Sequence, residues 1–187
     1  MPTVPAAAGL SPVTVRTGDG AAGPVLAAAT IGTGLMAGLY FAFDISVMPG
    51  LARADDETYV TVMRRINGVI DNNGLFGLLF VGVFVATGVA AALQRRLGHL
   101  DAARWTRTAF TLYALSIVIT MLVNLPLNRM LARTGSPAAG TDFRAVRGRF
   151  DRPWRTANAA RTLACAAALG ALGHALLLRG RGAAGPA

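Results

Sequence analysis

Four apolar stretches alternate along the chain with short polar links. They cover 23–43, 73–93, 108–125 and 157–178. Each is close to the roughly 20 residues a helix needs to cross the hydrocarbon core of a bilayer. The pattern predicts an all-α, integral membrane four-helix bundle. Small residues recur inside it. Gly34-Leu35-Met36-Ala37-Gly38 in the first span is a GxxxG pattern that lets a neighbouring helix come close, although glycine is also simply tolerated in membrane helices. Gly77, Gly82, Ala86 and Gly88 thin the surface of the second span. The small faces of these two spans suit helix assembly, including with further copies of the chain. Met48-Pro49-Gly50-Leu51 is expected to break the first helix, because proline disfavours a helical residue before it.

The pattern changes at 52–72. Tyr59, Met63, Ile66 and Ile70 recur at helical spacing, with Asp55, Asp56, Glu57, Arg64 and Arg65 on other positions. This predicts an amphipathic helix lying at the membrane interface, its acidic start matched to the helix dipole. An ordinary extramembrane helix packed on the bundle is the alternative. The link 130–153 opens with glycine and proline and becomes a charged helical stretch from Thr141, which Thr141 or Asp142 could cap. Residues 1–22 read as a disordered tail without the pattern of a cleaved signal peptide. Residues 23–178 read as one membrane domain, and 179–187 as a second tail.

Composition sharpens this. Of 187 residues, 53% are hydrophobic and 14% charged, where a soluble domain carries about a quarter. The net charge is +9 and every cation is Arg. That excess favours anionic lipid headgroups. The Arg residues sit in short links between apolar stretches, which argues against nucleic acid as a partner. Four spans place both termini on one side. The compact Arg95-Arg96 and Arg179-Gly180-Arg181 clusters assign that side to the cytoplasm, and the expected location is a bacterial plasma membrane. A single cysteine, Cys165, excludes an internal disulfide, a CxxC redox pair and a multi-cysteine zinc site. His99 and His174 do not make a metal site between them. There is no dinucleotide or phosphate-binding glycine loop and no nucleophile elbow. No metal and no cofactor are expected.

The residues left for chemistry converge. Asn124 and Asn128, four apart at the end of the third span, share one helical face. Trp154, Asn158 and Arg161 share a face at the start of the fourth. Topology brings both faces to the same side and depth, and Asp44 and Asn67 reach that side too. Arg161, a turn inside an apolar span, costs up to about 2.5–3.5 kcal/mol at mid-membrane on insertion scales and less near the end. It either serves an anion site, snorkels to headgroups, or pairs with Asp44. Asn124 suits an interhelical hydrogen bond, and Trp154 an interfacial belt.

The pieces Gly34–Gly38 through Leu51, Met63–Asn67, Asn124-Leu125-Pro126-Leu127-Asn128, and Trp154, Asn158 and Arg161 together resemble the anthrone-oxygenase-like family of small four-helix membrane proteins. The resemblance covers roughly 32–178, and the paired Asn motif followed by Trp, Asn and Arg is its most specific part. It implies four membrane helices. For some fungal members it implies oxygenation of anthrones to anthraquinones without a cofactor, while most bacterial members have no assigned reaction. Asp44 departs from the small polar residue expected there.

Against that chemistry, Arg161 would stabilise the deprotonated substrate and Asp44, the one carboxylate near the apolar spans, would be the base. Asn124, Asn128 and Asn158, with Asn67, would bind substrate oxygens, and Trp154 would stack on a flat hydrophobic aromatic ring system. The alternative is a non-enzymatic structural or interaction protein in which these polar groups join helices. A transporter is a weaker fit to four short helices with no broken-helix pair.

Overall fold

A computed structural model of the chain describes residues 19–135 and 140–183. It is helical throughout those residues, with no strand among them. The helices are α1 (Asp19–Ala42), α2 (Met48–Leu51), α3 (Asp56–Asp71), α4 (Gly74–Arg96), α5 (Leu100–Ile119), α6 (Leu125–Ala132) and α7 (Phe143–Ala183). Two π-helical turns, Phe43–Val47 and Thr120–Asn124, join α1 to α2 and α5 to α6. Most of the expected N-terminal tail, 1–18, lies outside the described residues, and 19–22 already belong to α1. Of the expected C-terminal tail, 179–183 is the last turn of α7 and the rest lies outside the described residues.

Four continuous helical stretches, Gly20–Leu51, Gly74–Arg96, Leu100–Ala132 and Phe143–Arg181, are long and apolar enough to cross a membrane. The long helices pack as a square in the order α1, α4, α5, α7 and back to α1. Large apolar side chains such as Ile31, Leu75, Leu78, Leu122 and Leu163 point outward. Water would leave that surface exposed, whereas lipid covers it.

The core is graded along the bundle axis. At the end holding the chain termini it is built from alanines, with Ala29, Ala90, Ala102, Ala109, Ala168, Ala171 and Ala175 around Leu26 and Leu172. Small side chains let the backbones approach, which is how helices gain packing energy in lipid. The closest approach is at Gly32, where a Cβ would lie 2.5 Å from Val83 Cγ2. Gly34 would meet only Leu169, at 3.6 Å, and Gly38 nothing within 4 Å. The GxxxG pattern is therefore present, but the contact that needs glycine is two residues upstream of it. Toward the other end the core fills with Met36, Tyr40, Phe80, Tyr113 and Cys165, and then with Phe43, Met48, Tyr59, Met63, Phe150 and Trp154. Larger side chains hold the helices apart and make room there.

Proline 49 does not end the helix. Proline lacks an N–H and crowds the carbonyl four residues back, here that of Ile45. The chain widens by one residue ahead of it, and the Met48 N–H bonds to the Phe43 carbonyl. Pro126 repeats the solution, with the Leu125 N–H bonded to the Thr120 carbonyl. Both proline bends are thus absorbed as π turns, a recognised cause of helix bending.

The wide end is capped by α3, α6 and the first half of α7. Asp55 caps α3, accepting from the Thr58 N–H at 2.8 Å. Its buried face is Tyr59, Val60, Met63 and Asn67, and Ile66 and Ile70 pack partly buried beside it. Arg147 on α7 donates to the carbonyls of Ala54 and Ala52 at 3.0 and 3.1 Å and to Asp56 at 2.9 Å. Its guanidinium lies 4.4 Å from the centre of the Tyr59 ring. Tyr59 donates to Asp151 at 2.8 Å. Burial and that carboxylate raise the phenol well above its ordinary value, so it remains a donor at any physiological pH.

Candidate functional site

The two π turns face α7 at the level where its apolar half begins. They bring Asp44, Thr120 and Asn124 opposite Trp154, Asn158, Arg161 and Thr162. Single-turn π bulges are frequent at functional sites, and here two of them frame one group of polar residues.

Arg161 is 6% exposed. One terminal nitrogen donates to Asn158 Oδ1 at 2.6 Å and the other to Thr120 Oγ1 at 3.2 Å. Its plane lies 4.2 Å from the centre of the Tyr40 ring and 5.8 Å from that of Trp154. Nε has no partner. Arg161 forms no ion pair among the described residues. A direct pair with Asp44, one of the three alternatives open from the sequence, is replaced by a bridge through Asn158, whose Nδ2 donates to Asp44 Oδ1 at 2.7 Å and to the Tyr40 carbonyl at 2.9 Å. Thr162 donates to the other Asp44 oxygen at 2.6 Å.

The asparagines form a second chain. Asn128 Oδ1 accepts from Asn67 Nδ2 at 3.0 Å and from Trp154 Nε1 at 2.9 Å. Asn124 Nδ2 reaches the Trp154 carbonyl at 3.4 Å, and its Oδ1 is unpaired. The Trp154 ring packs on Phe43 and Phe150, with centroids 5.5 and 5.9 Å away. Much of its surface is therefore already taken up by protein.

A cavity of about 60 Å³ lies among these groups. Asn67, Asn124, Asn128, Trp154, Asn158 and Arg161 all line it. All six were expected from sequence to meet. Asp44 is not part of the lining. It faces a separate open groove of about 730 Å³ on the α1–α7 surface, with Phe41, Arg152, Arg155 and Leu163. Sequence reasoning also missed lining residues. Tyr40, Thr120 and Asp71 belong to the cavity. Tyr40 and Thr120 read as ordinary residues of a membrane span. Asp71 sits at the last position of α3, outside the apolar stretches, so Asp44 had seemed the one carboxylate within reach.

Buried polar atoms without partners are uncommon, and each calls for an explanation. Four occur among the described residues: Tyr40 Oη, Ser116 Oγ, Asn124 Oδ1 and Arg161 Nε. Three of these belong to residues lining this one cavity. It thus offers a cation, a phenol and an amide oxygen with free hydrogen-bonding capacity in an apolar bundle. Among the described residues no three His, Cys, Asp or Glu side chains gather as metal ligands.

The family model for anthrone oxygenase matches residues 71–171, which is 101 of 187 residues and more than half of the chain. The chain belongs to the anthrone oxygenase family. The matched segment of this anthrone oxygenase family member begins at Asp71 and takes in Asn124, Asn128, Trp154, Asn158 and Arg161, while Tyr40, Asp44 and Asn67 precede it. No curated protein and no solved structure matches the chain.

Proposed function

We propose that this protein is a membrane-embedded, cofactor-independent oxygenase of flat polycyclic phenolic compounds of the anthrone type. The observation that carries the reading is Arg161, a buried cation that lines a polar cavity, forms no direct ion pair among the described residues and keeps an unpartnered Nε. An unpaired buried charge costs several kcal/mol, so a site that keeps one is built to receive an anion. Deprotonating the ring methylene of an anthrone puts charge on its carbonyl oxygen, and a positioned guanidinium stabilises that charge most in a water-poor site. Dioxygen then adds to the carbanion carbon. Loss of the second methylene proton with cleavage of the O–O bond leaves a ketone and releases water. One O2 is consumed for each anthraquinone and each water formed.

Asn124 and Tyr40 supply the remaining free groups for substrate oxygens, and Asn158 holds Arg161 in place. Pockets for ligands of this size run to about 300–1,000 Å³. The cavity therefore has to widen to admit a tricyclic substrate, and the apolar substrate arrives from the bilayer. On this reading both termini lie in the cytoplasm of a bacterium, with the Arg-rich ends against anionic headgroups.

The test is anthraquinone formation from 1,8-dihydroxyanthrone by membranes holding the protein. Arg161→Leu at matched protein level should bring the rate down to that of empty membranes, and an unchanged rate would overturn the assignment. One observation favours a structural role instead. Asn67, Asn128 and Asn158 are satisfied by bonds between helices, as in interhelical glue. On that reading Asn-to-Leu changes would lower folding yield, and anthrone would be converted no faster than in empty membranes.

A further inference from the structure

We infer that Asp71, and not Asp44, is the proton acceptor of this site. The inference rests on the oxygenase reading above and assigns the base within it. The step is a single proton transfer. The methylene C–H bond of the substrate breaks, an O–H bond forms on Asp71, and the electron pair stays on the substrate beside Arg161.

The two carboxylates differ in position and in bonding. Asp44 accepts short hydrogen bonds from Asn158 and Thr162 and fronts the outer groove. Each of its oxygens already accepts one hydrogen bond, and Asn158 stands between it and the cavity. A carboxylate held this way orients Asn158, turning the amide oxygen toward Arg161. Among the described residues Asp71 is the only carboxylate lining the cavity. It accepts no hydrogen bond and forms no ion pair among the described residues. It also occupies the last position of α3, where the helix dipole disfavours a negative charge. Asp71 is open to solvent on one side and reaches the cavity wall on the other, with Arg129 the one cation acting on its charge.

One charged group acts on it directly. Arg129 on α6 lowers its proton affinity, and partial desolvation raises it by more, so the carboxyl titrates above its ordinary 3.8. Arg161 on α7 and Tyr40 on α1 are the other titratable groups on the cavity wall. A free carboxylate with raised proton affinity is the better acceptor.

The sign for stability follows. A carboxyl raised in the folded state favours folding most below its ordinary 3.8. That advantage disappears as pH rises through the folded value, leaving ionised Asp71 a mild burden at neutral pH. Asp71→Asn should therefore keep or raise Tm at pH 7.

Deuterium incorporation into the methylene of 1,8-dihydroxyanthrone in D2O, without oxygen, reads proton abstraction alone. Membranes with wild type should accelerate it over empty membranes, with a pH midpoint above 3.8. Asp71→Asn should slow the catalysed exchange by about 100-fold or more and remove the midpoint, and Asp71→Glu should restore part of the rate. Asp44→Asn should weaken anthrone binding but keep the midpoint. Glu57→Gln, on an exposed turn, serves as the control. Wild-type-like exchange in Asp71→Asn overturns the assignment while leaving the oxygenase reading standing. Loss of exchange accompanied by a lowered Tm and no rescue by Glu also overturns it, in favour of a structural role. A wild type that does not accelerate exchange overturns both.

Discussion

Asn128 shows how far a single polar atom reaches in this bundle. Its Oδ1 serves two donors, Asn67 and the Trp154 indole, both from buried residues on other helices. Leucine at position 128 would orphan both, at about 1–3 kcal/mol per donor. Thermal unfolding in detergent should show a clear drop in Tm for Asn128→Leu and a smaller one for Asn128→Asp, which keeps the acceptor. Arg161 should behave in the opposite way. Arg161→Leu orphans Asn158 Oδ1 but removes a buried charge, so Tm should move little while anthrone conversion is lost. At this scale the sequence was informative where spacing fixes a face, and six polar residues assigned to one site do line one cavity. It could not show that Asn158 stands between Arg161 and Asp44. That depends on which way an amide points, and no spacing encodes it. Tyr40 was hidden because a tyrosine in an apolar helix carries no signal of what lies above its ring.

The helices teach a different lesson at the scale of elements. Pro49 reads as a helix end, yet the helix continues by widening one turn, and the helix carrying Pro126 does the same. Proline removes one donor and crowds one carbonyl, and a single extra residue per turn relieves both. The outcome depends on whether packing rewards continuation, which the local sequence does not say. The same limit applies to close approach. A GxxxG motif marks a face, but the place where one helix packs tightest against its neighbour's side chains depends on crossing geometry. Gly32 rather than Gly34 or Gly38 takes that contact. Gly32→Val should force α1 and α4 apart and cost about 1–3 kcal/mol, whereas Gly38→Ala should leave Tm unchanged. Thermal unfolding of the two variants side by side checks this, and equal behaviour would remove the α1–α4 contact as a determinant of stability.

For the whole molecule, hydropathy was enough to identify the fold class. Four apolar stretches suit four helical crossings, because backbone polar groups in lipid must be satisfied within the helix. What hydropathy could not reveal was the length of α7, which runs unbroken from the cap to the far end of the bundle. Its first half is charged because it packs on α3 through Arg147 and Asp151 and not against lipid. The proposed orientation can be read chemically, since Cys165 is fully buried. A membrane-impermeant maleimide should label Arg152→Cys in intact cells and Arg181→Cys only after lysis. The reverse pattern would invert the topology.

The most direct test of the central claim, a buried cation serving cofactor-independent oxygenation, is oxygen consumption by purified protein given 1,8-dihydroxyanthrone, measured together with anthraquinone produced. Wild type should consume one O2 per anthraquinone without releasing hydrogen peroxide, at a rate well above the spontaneous oxidation, and Arg161→Leu should show only the spontaneous rate. Wild-type consumption equal to the spontaneous rate, or an Arg161→Leu variant as fast as wild type, would contradict it.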